Sequence, residues 1–117
     1  MINGYRDLQV WQQAMTLCEK VYAHLRKFPP EERFGLCDQL RRAVVSVPSN
    51  IAEGNGRDSR SEYARFLSIA RGSTCEAQTQ LELGERLGCA PVPDDIKQLL
   101  DNVSRMLLAM IRKLRTP

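Results

Sequence analysis

The sequence predicts an all-α protein, an antiparallel up-down-up-down four-helix bundle with a proline-kinked second helix. Three observations lead there. Apolar residues recur every three or four positions along four long stretches, the pattern of helices with one buried face. Short runs rich in glycine and proline separate those stretches, as expected where helices end. No window alternates apolar and polar residues in the manner of a half-buried strand. At 117 residues the chain suits a single domain, residues 1–117, with one core large enough to need no metal or disulfide staple.

The first helix is expected from about Leu8 to Lys27, with Asp7 as its N-cap. Leu8, Trp11, Met15, Cys18, Tyr22 and Leu25 form its first apolar stripe, and Val10, Ala14, Leu17 and Val21 a second beside it. So wide a face suits contact with two elements or with another subunit. Phe28-Pro29-Pro30 breaks this helix, and Pro30 or Glu31 starts the second with acids at its positive end. Leu36, Leu40, Ala43, Val44, Val47 and Ile51 make one stripe that passes through Pro48. An interior proline costs a helix roughly 3 kcal/mol, because it cannot donate to the carbonyl four residues back and crowds it, so a kink is expected there. The helix should stop after Glu53, at Gly54-Asn55-Gly56, with a left-handed cap.

Ser59-Arg60-Ser61-Glu62 reads as a capping box opening a third helix, which runs to about Leu87. Tyr63, Phe66, Leu67, Ala70, Ala77, Leu81 and Gly84 mark its inner side. Its middle is built of small residues, and Gly72, which costs ~1 kcal/mol relative to alanine, is expected to mark a close helix approach. Gly88 ends it, and Pro93-Asp94-Asp95 opens a fourth helix. Ile96, Leu99, Leu100, Val103, Met106, Leu107, Met110, Ile111 and Leu114 make the fourth apolar face, and Arg112, Lys113 and Arg115 complement the helix's negative end. The apolar faces together exceed what one bundle requires, which leaves material for an oligomer interface.

Chemistry is sparse. The single histidine, His24, is expected at a helix edge, and no Glu-x-x-His pair or cysteine–histidine cluster exists to hold a metal. No nucleophile, base and orienting acid can be assembled around one histidine, so no catalytic residue and no cofactor is assigned. Gly54-Asn55-Gly56-Arg57 lacks the lysine and preceding strand of a phosphate-binding loop. Cys18, Cys37, Cys75 and Cys89 are widely spaced and Met1–Asp7 carries no apolar leader. A reduced, cytoplasmic protein that does not enter a membrane is expected.

The net charge is only +3, but 13 of the 17 basic residues are arginine and the segment from Arg33 to Arg71 carries seven of them against four acids. Arginine's planar fork suits phosphate or carboxylate, so the bias fits an anionic ligand or intersubunit ion pairs. Arg41 and Arg42, being adjacent, point about 100 degrees apart. Glu53, in the last turn of its helix, opposes the helix dipole and should be met by Arg57, Arg60 or an arginine of another chain. The aromatic residues fall mostly at core spacing, which favours backbone binding over base recognition.

The ordered set Tyr5-Arg6-Asp7-Leu8-Gln9-Val10-Trp11, Gln39-Leu40-Arg41-Arg42-Ala43, Ser46-Val47-Pro48-Ser49-Asn50-Ile51-Ala52-Glu53-Gly54 and Ile69-Ala70-Arg71-Gly72-Ser73 resembles the bacterial four-helix bundle protein family. That family includes proteins encoded in intervening sequences of large-subunit ribosomal RNA genes and the accessory variability protein of diversity-generating retroelements. Val44 and Val45 depart from it, where a more alanine-rich run is common. The resemblance implies a non-enzymatic bundle that assembles as a pentameric ring. It also implies a basic surface that, in the retroelement members, contacts nucleic acid and reverse transcriptase. On this chain it nominates Arg41, Arg42, Arg57, Arg60 and Arg71 as the basic surface. It nominates Pro48, Ser49, Asn50, Glu53 and Gly54 as a structural motif around the kink. Two functions follow as expectations: an oligomeric adaptor for RNA or DNA, or a protein-interaction module whose arginines pair with Glu53, Glu62 or Glu76 between subunits.

Overall fold

The computed structural model describes residues 4–117, so the reading of Met1–Asn3 lies outside it. Four helices follow one another, α1 (Gln9–Leu25), α2 (Leu36–Asn55), α3 (Arg60–Arg86) and α4 (Asp94–Arg115), and no strand occurs among the described residues. Cross-helix pairs set their directions. Ser46 meets Ser73 and Gln39 meets Gln80 between α2 and α3. Arg60 meets Leu114, and Glu85 meets Val92 just before α4. Cys18 meets Val44, and Arg41 covers Tyr22, between α1 and α2. In each case rising numbers on one helix match falling numbers on the next, so neighbours are antiparallel. Helices α1 and α4 also touch, while α1 and α3, like α2 and α4, face across the diagonals. The resulting body measures 47 × 26 × 24 Å, two helix diameters across in each short direction.

Helix boundaries depart from the periodicity in three places. Asp7 is not the N-cap of α1. It ends a 3-10 turn, Gly4–Asp7, and Leu8 occupies the cap position with no side-chain bond. The turn is held by Tyr5, whose ring meets Trp11 edge-on at 5.2 Å, and by Gln12, whose Nε2 donates to the Arg6 carbonyl at 2.9 Å. Nor does α2 begin at Pro30, where only one 3-10 turn forms, Pro30–Glu32. Both Phe28 and Leu36 bury against Gly84, whose position a Cβ would place 2.7 Å from the Phe28 ring. Covering one glycine from both sides requires a corner, which the chain turns at Gly35 (φ −103°, ψ −106°).

The third departure is at the end of α2. Gly54 is a buried helical residue, and Gly56 caps the helix with a right-handed φ of −83°. Gly54 serves packing: a Cβ there would lie 2.8 Å from Phe66 Cβ and 3.1 Å from Tyr63 Cδ1 on α3. The left-handed glycine that ends a helix is Gly88 (φ 80°) instead. It ends α3 with the paired bonds Cys89 N–H to Gly84 O at 2.9 Å and Gly88 N–H to Glu85 O at 3.0 Å. Ser59 does cap α3, accepting from Glu62 N at 3.1 Å.

Which stripes are buried also differs from expectation on α1. Val10, Ala14, Leu17 and Val21 form its core face, while Met15 and Tyr22 of the other stripe stay 40% and 43% exposed. On α2 the stripe from Leu36 to Ile51 is buried throughout. The interior is two clusters, not one core. Leu17, Val21, Leu40, Leu81 and Leu100 belong to one, and Val47, Ile51, Leu67, Val103 and Leu107 to the other. Between them α3 contributes only the small residues Ala70, Thr74 and Ala77.

Pro48 lies inside α2. Its nitrogen has no proton to give the Val44 carbonyl, and that acceptor takes the Cys18 thiol of α1 at 3.0 Å instead. Burial pushes this thiol up to about 11, with Glu19 adding to the shift, so sulfur keeps its proton and remains a donor. Cys18→Ala should therefore cost about 1 kcal/mol by leaving the carbonyl unmet. In a Pro48→Ala background, where the backbone N–H is restored, the same change should cost much less; a double-mutant cycle in urea reads the difference, and equal costs would refute the pairing. Gly54→Ala should destabilise by about 1–3 kcal/mol through overpacking against α3, measured by the same unfolding curves.

Candidate nucleic-acid interface

The nominated arginines do not form one patch. Arg41 lies over the Tyr22 ring at 5.9 Å, toward α1. Arg42 pairs with Asp38 one turn earlier at 3.2 Å and is otherwise exposed. Both sit in the first third of α2, whereas Arg57 and Arg60 lie beyond its other end. There Arg57 donates to Glu53 at 3.2 Å and stacks on Phe66 at 4.7 Å, so Glu53 finds its partner within the chain. Arg60 reaches the last turn of α4, donating through Nε to Leu114 O at 3.2 Å and through Nη2 to Lys113 O at 2.9 Å. Those carbonyls have no intrahelical partners, so Arg60 is a cap as well as a cation.

That contact brings together residues far apart along the sequence. Arg112, Lys113 and Arg115 at the end of α4 join Arg57, Arg60, Arg65 and Arg71, and Arg115 Nη2 meets Ser68 Oγ at 3.4 Å. Counting residues 57–71 and 112–115 together with Glu53, the partner of Arg57, seven cations stand against three acids, an excess above the +3 of the whole chain. Glu62 is one of the three, and it is held by Arg65 at 2.9 and 3.3 Å. The α4 cations are visible in the sequence, but their fit to the helix dipole explains them fully there. Only the return of α4 beside the start of α3 makes them part of a surface.

The segment around Pro48 is occupied with backbone bonding. Ser49 Oγ donates to Val45 O at 2.8 Å, and Asn50 Nδ2 donates to Ser46 O at 2.8 Å and to Ser46 Oγ at 2.9 Å. Ser46 in turn shares a 2.8 Å hydrogen bond with Ser73 of α3. The aromatics are less buried than their spacing suggests: Phe28 alone is buried, and Phe34 is 85% exposed. Four carry arginine lids, Arg6 over Tyr5, Arg33 over Phe34, Arg41 over Tyr22, and Arg57 with Arg65 over Phe66. Such stacking satisfies ring faces that bases would otherwise use.

Residues 6–109 of this four-helix chain match the family model of the 23S rRNA-intervening sequence protein. The chain belongs to that family. No curated protein matches it. The family match contains Pro48 and all five nominated arginines but stops before Arg112, Lys113 and Arg115, so the most basic turn of α4 is described by this chain's own residues.

Other chemistry is confined to the opposite end. His24 is not at an edge: it is buried at 4% exposure, with neither ring nitrogen bonded, and its ring meets Phe28 edge-on at 5.6 Å. Burial lowers its pKa below the usual 6.5, Lys27 lowers it further, and Asp95 partly opposes them. Asp95 is itself lowered by the 2.9 Å bond from Lys20. Burial raises Cys37 as well. No group of histidine, cysteine or acid side chains that could hold a metal exists among the described residues, and no helix among them is long and apolar enough to cross a membrane.

A histidine whose folded pKa lies below its unfolded one favours folding when neutral. Its contribution is complete above about pH 6.5 and is lost as pH falls through the lower folded value. The lowered carboxyls of Glu62 and Asp95 act in the same direction, but at lower pH. Between about pH 7.5 and 5, urea midpoints should therefore fall with acid, and His24→Leu should flatten that slope.

Proposed function

We propose that this protein is a non-enzymatic adaptor that binds RNA or DNA through arginine–phosphate contacts and works as an oligomer. The observation that carries the reading is the cationic end built from the turn before α3, the first half of α3 and the last turn of α4, with its seven cations against three acids. Arginine and lysine there hold phosphates as positioning contacts that carry no sequence information. The arginine lids over aromatic rings agree with backbone binding rather than base stacking. No acid–base pair is assigned a catalytic role.

Self-association is supported by a different face. Tyr5, Trp11, Met15, Cys18, Val45, Pro48 and Ala52 line an apolar groove of about 360 Å³ between α1 and α2. Met15, Tyr22 and Val45 are each 40% exposed or more. Apolar surface of this kind fits contact between copies, and the resemblance gives the arrangement as a pentameric ring. A reverse transcriptase partner and a cytoplasmic location are further parts of the same reading. The alternative, that the arginines join subunits through Glu53, Glu62 or Glu76, is weakened for the first two acids, which are engaged inside the chain by Arg57 and Arg65.

Arg112→Ala with Lys113→Ala should weaken binding to a mixed RNA and DNA pool. The slope of log affinity against log salt should become shallower by about one for each phosphate these side chains neutralise. Light scattering with and without nucleic acid, at low and high salt, should show a defined oligomer that gains salt-sensitive mass. An oligomer that gains no mass under any salt would overturn the adaptor reading.

A further inference from the structure

Gly72 is the residue the fold leaves unexplained. A glycine in the middle of a 27-residue helix weakens it, and where Gly54 and Gly84 offset that weakness by close packing, a Cβ at Gly72 would meet nothing within 4 Å. The space beside it is a groove of about 250 Å³ between α3 and α4, whose lining includes Ser68, Arg71, Gly72, Leu108, Ile111 and Arg115. Its lining contains two arginines and no acid. Arg71 lines the groove and its Nε is buried with no hydrogen-bond partner, while Arg115 touches Ser68 only at 3.4 Å.

A buried guanidinium N–H without an acceptor is costly, and a second guanidinium in the same groove adds repulsion. An anion with several oxygens resolves both. A phosphate presents acceptors to two forks at once, and at about 30 Å³ per water the groove has room for a phosphate with part of its sugar. Leu108 and Ile111 would face that sugar. We infer that the α3–α4 groove is a phosphate-binding site, held open by Gly72 and lined by Arg71, Arg115 and Ser68, that seats one phosphodiester of a bound nucleic acid. The phosphodiester part rests on the adaptor reading; the phosphate part does not.

Gly72 provides the test, because filling the groove removes no charge and relieves the helix. Gly72→Ala should raise the melting temperature, and Gly72→Leu should keep it at or above that of the parent. Titration calorimetry of each protein against inorganic pyrophosphate and against a single-stranded RNA oligonucleotide should then show Gly72→Leu and Arg115→Gln each losing about tenfold in affinity for both. Thr16→Val, exposed on α1, which lines no part of the groove, should change neither. Undiminished binding of both ligands by Gly72→Leu would overturn the site. If the parent binds pyrophosphate in a Gly72-dependent way but ignores RNA, the phosphate site stands and the adaptor reading falls. If RNA binds and is indifferent to Gly72 while pyrophosphate does not bind, the site falls and the adaptor reading stands. If the parent binds neither, both fall.

Discussion

The missing N–H of Pro48 organises the middle of this bundle. An interior carbonyl of α2 must find a donor outside its own helix, and the Cys18 thiol supplies it from α1. The next two carbonyls, of Val45 and Ser46, each receive a side-chain donor from Ser49 and Asn50. The Ser46 hydroxyl that Asn50 also touches reaches across to Ser73 of α3. One backbone defect thus sets the height of α1 on one flank of α2, and its polar neighbours tie the other flank to α3. Because a thiol gives a weaker bond than an amide, its protonation matters, and burial secures it.

Sterics and helix-end electrostatics decide what surrounds that waist. Gly54 and Gly84 let aromatic rings lie directly on α2 and α3. Both ends of α4 are matched in sign to its dipole, with Asp94 and Asp95 at the start and Arg112, Lys113 and Arg115 at the finish. Arg60 adds a guanidinium to those last carbonyls from α3. The cationic end therefore has an ordinary helical origin. Its consequence is larger than its cause, since antiparallel packing lays this turn beside the arginines that open α3.

The helices themselves are legible because burial imposes period on sequence. Every residue of the α2 stripe is buried, and the buried set of α4 lies wholly inside its expected face. What periodicity cannot rank is the two stripes of α1, since both are apolar and only the position of α4 chooses between them. Local rules make Gly54 a cap and Gly72 a close contact, and the structure reverses both, because a missing side chain signals close approach, a turn or empty space equally well. Phe28 and Leu36 move the start of α2 through a tertiary contact with Gly84 that no local rule contains. For the candidate interface, the arginine bias is visible but its grouping is not: Arg41 and Arg42 are close in sequence to the rest and distant along the bundle, while Arg115 is the reverse.

The division of the interior into two clusters gives the molecule two regions of local stability. The clusters share no side chains, so each end opens at a free-energy cost set mainly by its own packing. Val103, Leu107 and Ile111 lie under the cationic turn of α4, whereas His24 and Phe28 lie over the other cluster. Protection of backbone amides against exchange would therefore rise first in one half of every helix when something engages the basic end, and acid would loosen the other half first. The helices carry through the waist unbroken, so the two halves report on each other through the backbone that both share and through the side-chain bonds at Val44, Ser46 and Ser73.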